Sequence, residues 1–229
     1  MGSTFFSNIV KLISRYGHVF LLEGVFYTLL LSLIAVAGGA VLGSLFAFAK
    51  RSKLWPLRAL VSAIVEIVRG TPMLLQLYAG VFLFPRIITV LKDLPDIVSV
   101  IIVLIINSGA YVSEVIRSGI QAVDIGQTEA ARSLGLTERT TMLSVVLPQA
   151  IKNILPAIAN EFVTIIKESA ICYTIGVQDI MSAVNAVKGS TYRMGEALII
   201  ATALYFCLTF PTSKIIAHFE RRMRRGDLR

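Results

Sequence analysis

The sequence predicts an all-α membrane protein with five membrane-spanning helices. The chain has 229 residues, of which 55% are hydrophobic and only 16% are charged, and its mean hydropathy is +0.76. This composition is too apolar for an ordinary soluble domain. The apolar residues form long uncharged runs, and about 20 such residues in a helix cross a hydrocarbon core of roughly 30 Å. The 22 basic residues exceed the 14 acidic residues, which gives a formal charge of +8. In so apolar a chain this excess indicates membrane topology rather than nucleic-acid binding.

The five spans follow from the apolar runs, taken in chain order. Residues 24–49 contain no charged side chain and predict the first span. The run is too long for the apolar core of a secretory signal peptide, so we expect it in the mature protein. Residues 1–20 alternate apolar and polar groups at helical spacing, which predicts a short helix lying in the membrane interface. The remaining spans are predicted over residues 59–83, 97–113, 155–177 and 197–213.

The distribution of basic residues predicts the orientation of these spans. Lys and Arg are concentrated after the first span, between the third and fourth spans, and at the C-terminus. Because cytoplasmic segments carry an excess of Lys and Arg, the N-terminus is expected outside and the C-terminus in the cytoplasm. The long polar segment between the third and fourth spans is then cytoplasmic as well.

Two short helices are predicted in this cytoplasmic segment. Thr128 is suited to cap the first helix, with Glu129 in its first turn, and Gly135 is suited to end it in the left-handed conformation. A second short helix is predicted from Thr137 until Pro148 interrupts it. The small side chains of the alanines on the first helix leave a surface with few protrusions, which is suited to docking in a groove.

Residues 126–148 resemble the EAA signature of bacterial ABC importer permeases. The segment contains Glu129-Ala130-Ala131, then three residues, Gly135, nine residues, and Val145-Val146-Leu147-Pro148. Only Val145 departs from the usual pattern, where isoleucine is common. The resemblance implies that this segment is the coupling helix that sits in a groove of an ATPase. The residues implied in coupling are Glu129, Ala130, Ala131, Arg132, Gly135, Leu147 and Pro148.

Further segments are similar to the polar amino-acid permeases within that family. They are Glu66–Pro72, Asn107–Tyr111 followed by Glu114 and Arg117, Lys167–Ser169, and Phe219–Arg222. The resemblance implies the type I ABC importer permease fold in a bacterial cytoplasmic (inner) membrane. It also implies several partners: a second permease subunit, either an identical copy or a close paralogue, two cytoplasmic ATPase subunits, an external substrate-binding protein, membrane lipid and an amino-acid substrate.

The chain itself lacks the residues for nucleotide chemistry. It has no GxxxxGK[ST] phosphate-binding loop, so we expect a transport subunit rather than an enzyme. ATP and Mg²⁺ are expected on the partner ATPase, and no cofactor on this chain. No metal site is predicted, since the two histidines, His18 and His218, lie in separate terminal segments.

One face of the predicted fourth span is polar, which points to the substrate. At about 100° per residue, five polar side chains fall within roughly 120° of arc: Asn160, Glu161, Thr164, Lys167 and Glu168. A charged side chain at mid-membrane costs about 2.5–3.5 kcal/mol on insertion scales, so this face is expected to line a cavity or a subunit interface. Glu161 and Glu168 suit a cationic ligand. In the alternative, Lys167 neutralises one carboxylate across a dimer interface and the face holds the subunits together.

Three other positions are candidate substrate contacts. The Gly70-Thr71-Pro72 break frees backbone groups near Thr71 that could line the pathway. The alternative there is a structural kink in which Glu66 and Arg69 pair. Asn107 and Ser108 could contact substrate or bond across helices. Glu114 and Arg117 are expected to form an exposed pair.

The sequence thus predicts the membrane subunit of an ATP-driven importer that works by alternating access. Its substrate is expected to be a basic amino acid: arginine, lysine or histidine. The first alternative is a permease for neutral or acidic polar amino acids such as glutamine or glutamate. A proton-coupled secondary carrier is a remote alternative, because such folds show repeated halves and more spans.

Overall fold

A computed structural model describes residues 2–224 of the chain, with the side chains of residues 5–223. Within this range the chain is helical, with short connections and no β-strand, so the all-α prediction is confirmed. The chain termini, Met1 and residues 225–229, lie outside the described residues, and the side of the membrane on which each lies stays a prediction.

Eleven α-helices are present in the described part of the chain, several of them joined through π or 3₁₀ turns. They are α1 Gly2–His18, α2 Phe26–Ala49, α3 Trp55–Gly70, α4 Met73–Tyr78, α5 Phe84–Ile87, α6 Asp96–Gln121, α7 Ile125–Ser133, α8 Glu138–Thr141, α9 Leu147–Glu168, α10 Ile180–Thr191 and α11 Met194–Arg224. The π segments are Val19–Val25, Ala79–Leu83 and Met142–Val146. The 3₁₀ segments are Thr89–Leu91 and Ser169–Ile175.

Four continuous helical stretches in the described chain are long and apolar enough to cross a membrane. They are Phe5–Ala49, Asp96–Gln121, Glu138–Ile175 and Met194–Met223. A fifth candidate is the interrupted pair Trp55–Gly70 and Met73–Ile87. The second predicted span, residues 59–83, is therefore broken where Gly70-Thr71-Pro72 suggested a break.

Two expected helix boundaries are wrong. The N-terminal helix predicted over residues 1–20 is not separate, because α1 continues through Val19–Val25 into α2. Pro148 does not end a helix either. The Leu147 N–H donates to the Met142 carbonyl at π spacing, and this wider turn gives the Pro148 ring room. The chain from Glu138 to Ile175 is therefore one helical stretch.

The chain forms two compact units. Unit 1 comprises Met1–Ala35, Thr71–Leu104 and Phe162–Thr212. Its core packs the N-terminal helix against α10 and the start of α11, through the buried side chains Leu12, Phe20, Ile180, Ala183, Val184, Val187, Ala197, Ile200 and Ala201. Gly24 permits this approach, since a Cβ there would lie 3.2 Å from the Ile180 Cα.

Unit 2 comprises Val36–Gly70, Ile105–Glu161 and Ser213–Arg229. Here α2 packs closely against α6. A Cβ on Gly39 would lie 2.4 Å from the Ser108 Oγ, and one on Gly43 would lie 2.7 Å from the Gly109 carbonyl oxygen. The small-residue spacing Gly39–Gly43 is thus a helix-packing motif, which brings the backbones of α2 and α6 together.

Candidate functional site

The polar face predicted on the fourth span lies on one uninterrupted α-helix. All five polar residues fall within α9, Leu147–Glu168. Asn160 and Lys167 are exposed, whereas Glu161, Thr164 and Glu168 are half-buried. The helix therefore presents this face outward from the protomer rather than into its own core.

Three apolar residues that lie between these polar positions are packed inside. Val163 is buried, and Ile165 and Ile166 are fully buried. These three buried residues set the rotation of this part of the helix about its axis. Glu161 and Glu168 are seven residues apart and so lie about 10 Å apart along the axis.

The helix break before α4 is stabilised by a side chain that the sequence analysis did not identify. Pro72 is extended, with φ −62° and ψ 138°. The Gln76 Nε2 donates to both the Thr71 carbonyl and the Thr71 Oγ1, each at 3.0 Å. Thr71 is exposed at this break. The amide of Gln76 thus compensates for helical hydrogen bonds that the break removes.

Glu114 is the centre of a four-charge cluster in unit 2. Its Oε1 lies 2.6 Å from the Lys50 Nζ, and its Oε2 lies 2.8 Å from both the Arg117 Nε and Nη2. The Arg69 Nη1 lies 3.7 Å from the same Oε2, and the Arg69 guanidinium stacks 5.6 Å over the Tyr111 ring. Two predictions are corrected here, because Arg69 contacts Glu114 rather than Glu66, and Glu114 is partly buried rather than exposed.

Asn107 and Ser108 lie in the interior of unit 2. Asn107 is 3% exposed and Ser108 is fully buried on α6, beside Gly39. The close backbone approach leaves no room for a ligand against Ser108. For this residue, the structure favours the packing alternative over substrate contact.

The coupling segment begins with one short helix, α7, as the sequence indicates, but with a different first cap, and the second predicted helix is the start of the long stretch Glu138–Ile175. The N-cap of α7 is Asp124, whose Oδ1 accepts a hydrogen bond from the Gly126 N–H at 2.7 Å, and Thr128 lies inside the helix. Gly135 is left-handed, with φ +80°, as predicted. Thr137 caps α8 by accepting from the Thr140 N–H at 3.2 Å.

The exposed surface of this segment is more apolar than the EAA signature suggests. Glu129, Ala130 and Arg132 are exposed, whereas Ala131 is buried against the rest of the unit. Two large apolar side chains flank them, since Ile125 is 73% exposed and Leu134 is 82% exposed. The spacing of the EAA signature specifies neither residue.

The remaining coupling residues set the geometry of the segment. Arg132 stabilises the turn that follows α7, because its Nη1 donates to the Leu136 carbonyl at 2.8 Å. Gly135 is exposed in the turn between the two helices. Leu147 is half-buried and Pro148 exposed at the start of α9.

Asp179 is a buried carboxylate that the sequence analysis did not identify. It caps α10 by accepting from the Ser182 N–H at 2.7 Å, and the Tyr205 hydroxyl donates to its Oδ2 at 3.3 Å. Burial raises the pKa of Asp179 to about 6, although the hydrogen bonds from Ser182, Met181 and Tyr205 lower it. An Asp at a helix start was the available signal, but its burial depends on unit 1.

Comparison with known proteins decides the family. Residues 39–225 match the family described as "Binding-protein-dependent transport system inner membrane component". The chain belongs to this family. It is therefore an inner-membrane permease subunit of an ABC transporter rather than an enzyme, and ATP hydrolysis belongs to a separate subunit. Membership also implies, in general terms, a partner permease, an ATPase and a binding protein.

The relatives are named as amino-acid permeases, but they are named for different amino acids. The chain is 42% identical over 205 residues to the "Putative glutamine transport system permease protein GlnP" of Rickettsia felis, covering 90% of this chain and 93% of the relative. It is 38% identical over 208 residues to the "Arginine transport system permease protein ArtQ" of Bacillus subtilis, covering 91% and 94%.

Solved structures support the same fold. A crystal structure of an amino acid ABC transporter with histidines contains a chain that is 42% identical, with a TM-score of 0.87, covering 92% of this chain and 96% of that one. An inward-facing structure of the methionine ABC transporter MetNI matches at 22% identity and a TM-score of 0.64, covering 87% and 96%. The second match supports the fold alone. The type I importer permease fold predicted from the sequence is thus confirmed, and the protein is an amino-acid ABC permease.

Proposed function

We propose that this permease imports basic amino acids, with Glu161 as the main contact for the cationic side chain. The observation that carries the proposal is the pair of carboxylates, Glu161 and Glu168, on the open polar face of α9. Asn160, Thr164 and Lys167 share this face and supply further polar groups. Thr71, at the helix break, is a further proposed contact, for the substrate's carboxylate. Asn107 remains a proposed contact, whereas Ser108 packs directly against Gly39 and is the weaker candidate.

Two of the similar proteins are consistent with a basic substrate. ArtQ of Bacillus subtilis is named for arginine, and the amino acid ABC transporter of known structure was crystallised with histidines. Other relatives are named for glutamine. A permease for glutamine or glutamate is therefore the second candidate function, and in that case Glu161 has a structural role.

The proposed energy source is a pair of ATPase subunits that bind ATP and Mg²⁺. The exposed face of α7, with Glu129 and Ala130, is proposed to dock in a groove of each ATPase. Ile125 and Leu134 extend this face with apolar surface, which suits a buried contact. Closing of the ATPases on ATP would move α7, and the helices attached to it would switch the pathway between two states.

Assembly completes the proposed pathway. One set of five spans forms half of it, so we propose a dimer with a second copy or a close paralogue, in membrane lipid. An external binding protein delivers the amino acid.

The deciding experiment is calorimetry on the purified permease–ATPase complex without its binding protein. We expect arginine or lysine to bind, and Glu161→Gln to weaken that binding about tenfold or more, since a charged hydrogen bond contributes about 1.5–3 kcal/mol. Glu23→Gln removes an exposed carboxylate elsewhere and should leave the affinity unchanged. Arginine binding that is equally strong in the native protein and the Glu161→Gln variant would contradict the proposal.

A further inference from the structure

A pocket of about 370 Å³ lies in unit 2 between α6, the start of α9 and the end of α11. Its volume is within the range of roughly 300–1,000 Å³ that small-molecule sites occupy. The polar side chains lining it are Ser118, Lys152, Asn153, Asn160 and Glu220. It is distinct from the coupling segment and from the helix break.

The pocket is continuous with the polar face of α9. Asn160 belongs to both, and Asn153 lies seven residues earlier on the same side of the helix. From Asn153 to Glu161, the part of this helix in unit 2 carries polar groups over about 12 Å. The pocket is the part of this stripe nearest the coupling segment, since α9 follows that segment along the chain.

The backbone packing places the pocket walls close together. Gly119 is buried on α6, and a Cβ there would lie 2.4 Å from the Ile154 Cγ1 of α9. This contact brings Ser118 of α6 beside Lys152 and Asn153 of α9. Glu220 comes from the last turns of α11 and is half-buried.

The pocket contains one group of each charge together with two amides. Lys152 is a cation and Glu220 an anion, and Asn153 and Asn160 can both donate and accept hydrogen bonds. An α-amino acid carries the complementary set, a carboxylate and an ammonium group. Glu220 is the one carboxylate among these lining residues, so once it contacts the ammonium group none of them is left to select a cationic side chain.

We infer that this pocket is a release site that binds the α-ammonium and α-carboxylate of the imported amino acid after it leaves the α9 polar face. Lys152 contacts the carboxylate and Glu220 contacts the ammonium group. The side-chain amides of Asn153 and Asn160 donate hydrogen bonds to the carboxylate and accept them from the ammonium group. Selection by side chain then belongs to Glu161, and the release site accepts α-amino acids in general. The inference rests on the proposed function for the identity of the cargo only.

The test uses a thiol reporter in the pocket of the permease–ATPase complex without nucleotide. Ser118→Cys is nearly isosteric, and a water-soluble maleimide measures its accessibility. The background is Cys207→Ala, because Cys207 is exposed whereas Cys172 is buried. Ser190→Cys, exposed on α10, is the control reporter. The probes are arginine, glutamine and agmatine, which is arginine without its carboxylate.

We expect saturating arginine and glutamine to slow labelling of Ser118→Cys severalfold, agmatine to have no effect, and Ser190→Cys to be unaffected. Adding Glu220→Gln or Lys152→Gln should raise the half-protecting arginine concentration about tenfold, whereas Glu23→Gln should not. The two charge variants lie on different helices, so the test remains possible if one of them does not fold. Equal protection by agmatine, or no protection by any amino acid, would overturn the inference.

The two proposals fail in different ways. If high arginine still protects Ser118→Cys from labelling when Glu161→Gln is also present, the release site is supported. This holds whether or not Glu161→Gln weakens arginine binding in calorimetry. If Glu161→Gln leaves calorimetric arginine binding unchanged while Ser118→Cys is still protected, the proposal of basic specificity fails and the release site stands. If Glu161→Gln by itself, without a change at Lys152 or Glu220, abolishes the protection of Ser118→Cys, the labelling reports arginine binding at Glu161. That result would contradict a separate pocket.

Discussion

Glu114 is the shared counter-charge for three basic side chains of unit 2. Lys50 follows α2, Arg69 ends α3, and Arg117 lies one turn further along α6. The carboxylate is only 15% exposed, so its partners are less screened than in a surface pair. The cluster therefore fixes the end of α3 relative to α6, just before the Gly70–Pro72 break.

We predict that Glu114→Gln destabilises the permease. The change leaves three neighbouring cations without their shared counter-charge, so the free energy of unfolding should fall by roughly 1–3 kcal/mol. Thermal unfolding in detergent measures it. Glu66→Gln is the matched control, because Glu66 is exposed and Arg69 contacts Glu114 instead. A loss as large in the control would show that the effect comes from charge removal in general.

The contact between α2 and α6 depends on the absence of side chains at Gly39 and Gly43. With no Cβ on either glycine, Ser108 and the Gly109 carbonyl lie directly against the α2 backbone. In a membrane the hydrophobic effect does not drive helices together, so this close packing is what associates them.

We predict that Gly39→Ala separates α2 from α6. Its Cβ would lie 2.4 Å from the Ser108 Oγ, and overpacking of this kind costs about 1–3 kcal/mol. Gly17→Ala is the control, because a Cβ there meets nothing within 4 Å and alanine is favoured in a helix by about 0.5–1 kcal/mol. The apparent melting temperature should fall for the first variant and stay or rise for the second. Similar melting temperatures in both would contradict the packing role.

At the scale of the whole molecule, the exposed coupling surface is where the permease is proposed to receive mechanical work. Ala130 is small and exposed there, between Ile125 and Leu134, while Ala131 faces inward. A large side chain at Ala130 would lift α7 from an ATPase groove without disturbing the core of unit 2.

We predict that Ala130→Trp prevents co-purification of the ATPase while leaving the melting temperature of the isolated permease unchanged. Ala186→Trp makes the same replacement at an exposed alanine of α10 and should retain the ATPase. Co-expression with a tagged permease measures the ratio of subunits. Retention of the ATPase by Ala130→Trp would exclude this face of α7 from the contact.

Parts of the candidate site could be predicted because they depend on spacing along one chain segment. The open polar face of α9 follows from helical periodicity, and the left-handed Gly135 and the Thr137 cap follow from local turn chemistry. Other parts were wrong. Asp124 rather than Thr128 caps α7, since several residues could cap it and backbone geometry selects one.

The sequence by itself determined the class of protein, because hydropathy and the EAA spacing are properties of short segments. Only the tertiary structure decided which partner each side chain meets. Arg69 reaches Glu114, Ser108 lies beneath Gly39, and Asp179 is buried in unit 1. These contacts depend on where helices that are distant in sequence cross. The hydrophobic pattern of each helix does not determine the crossing points. The pocket around Lys152 and Glu220 has the same origin, since its walls come from three helices far apart in sequence.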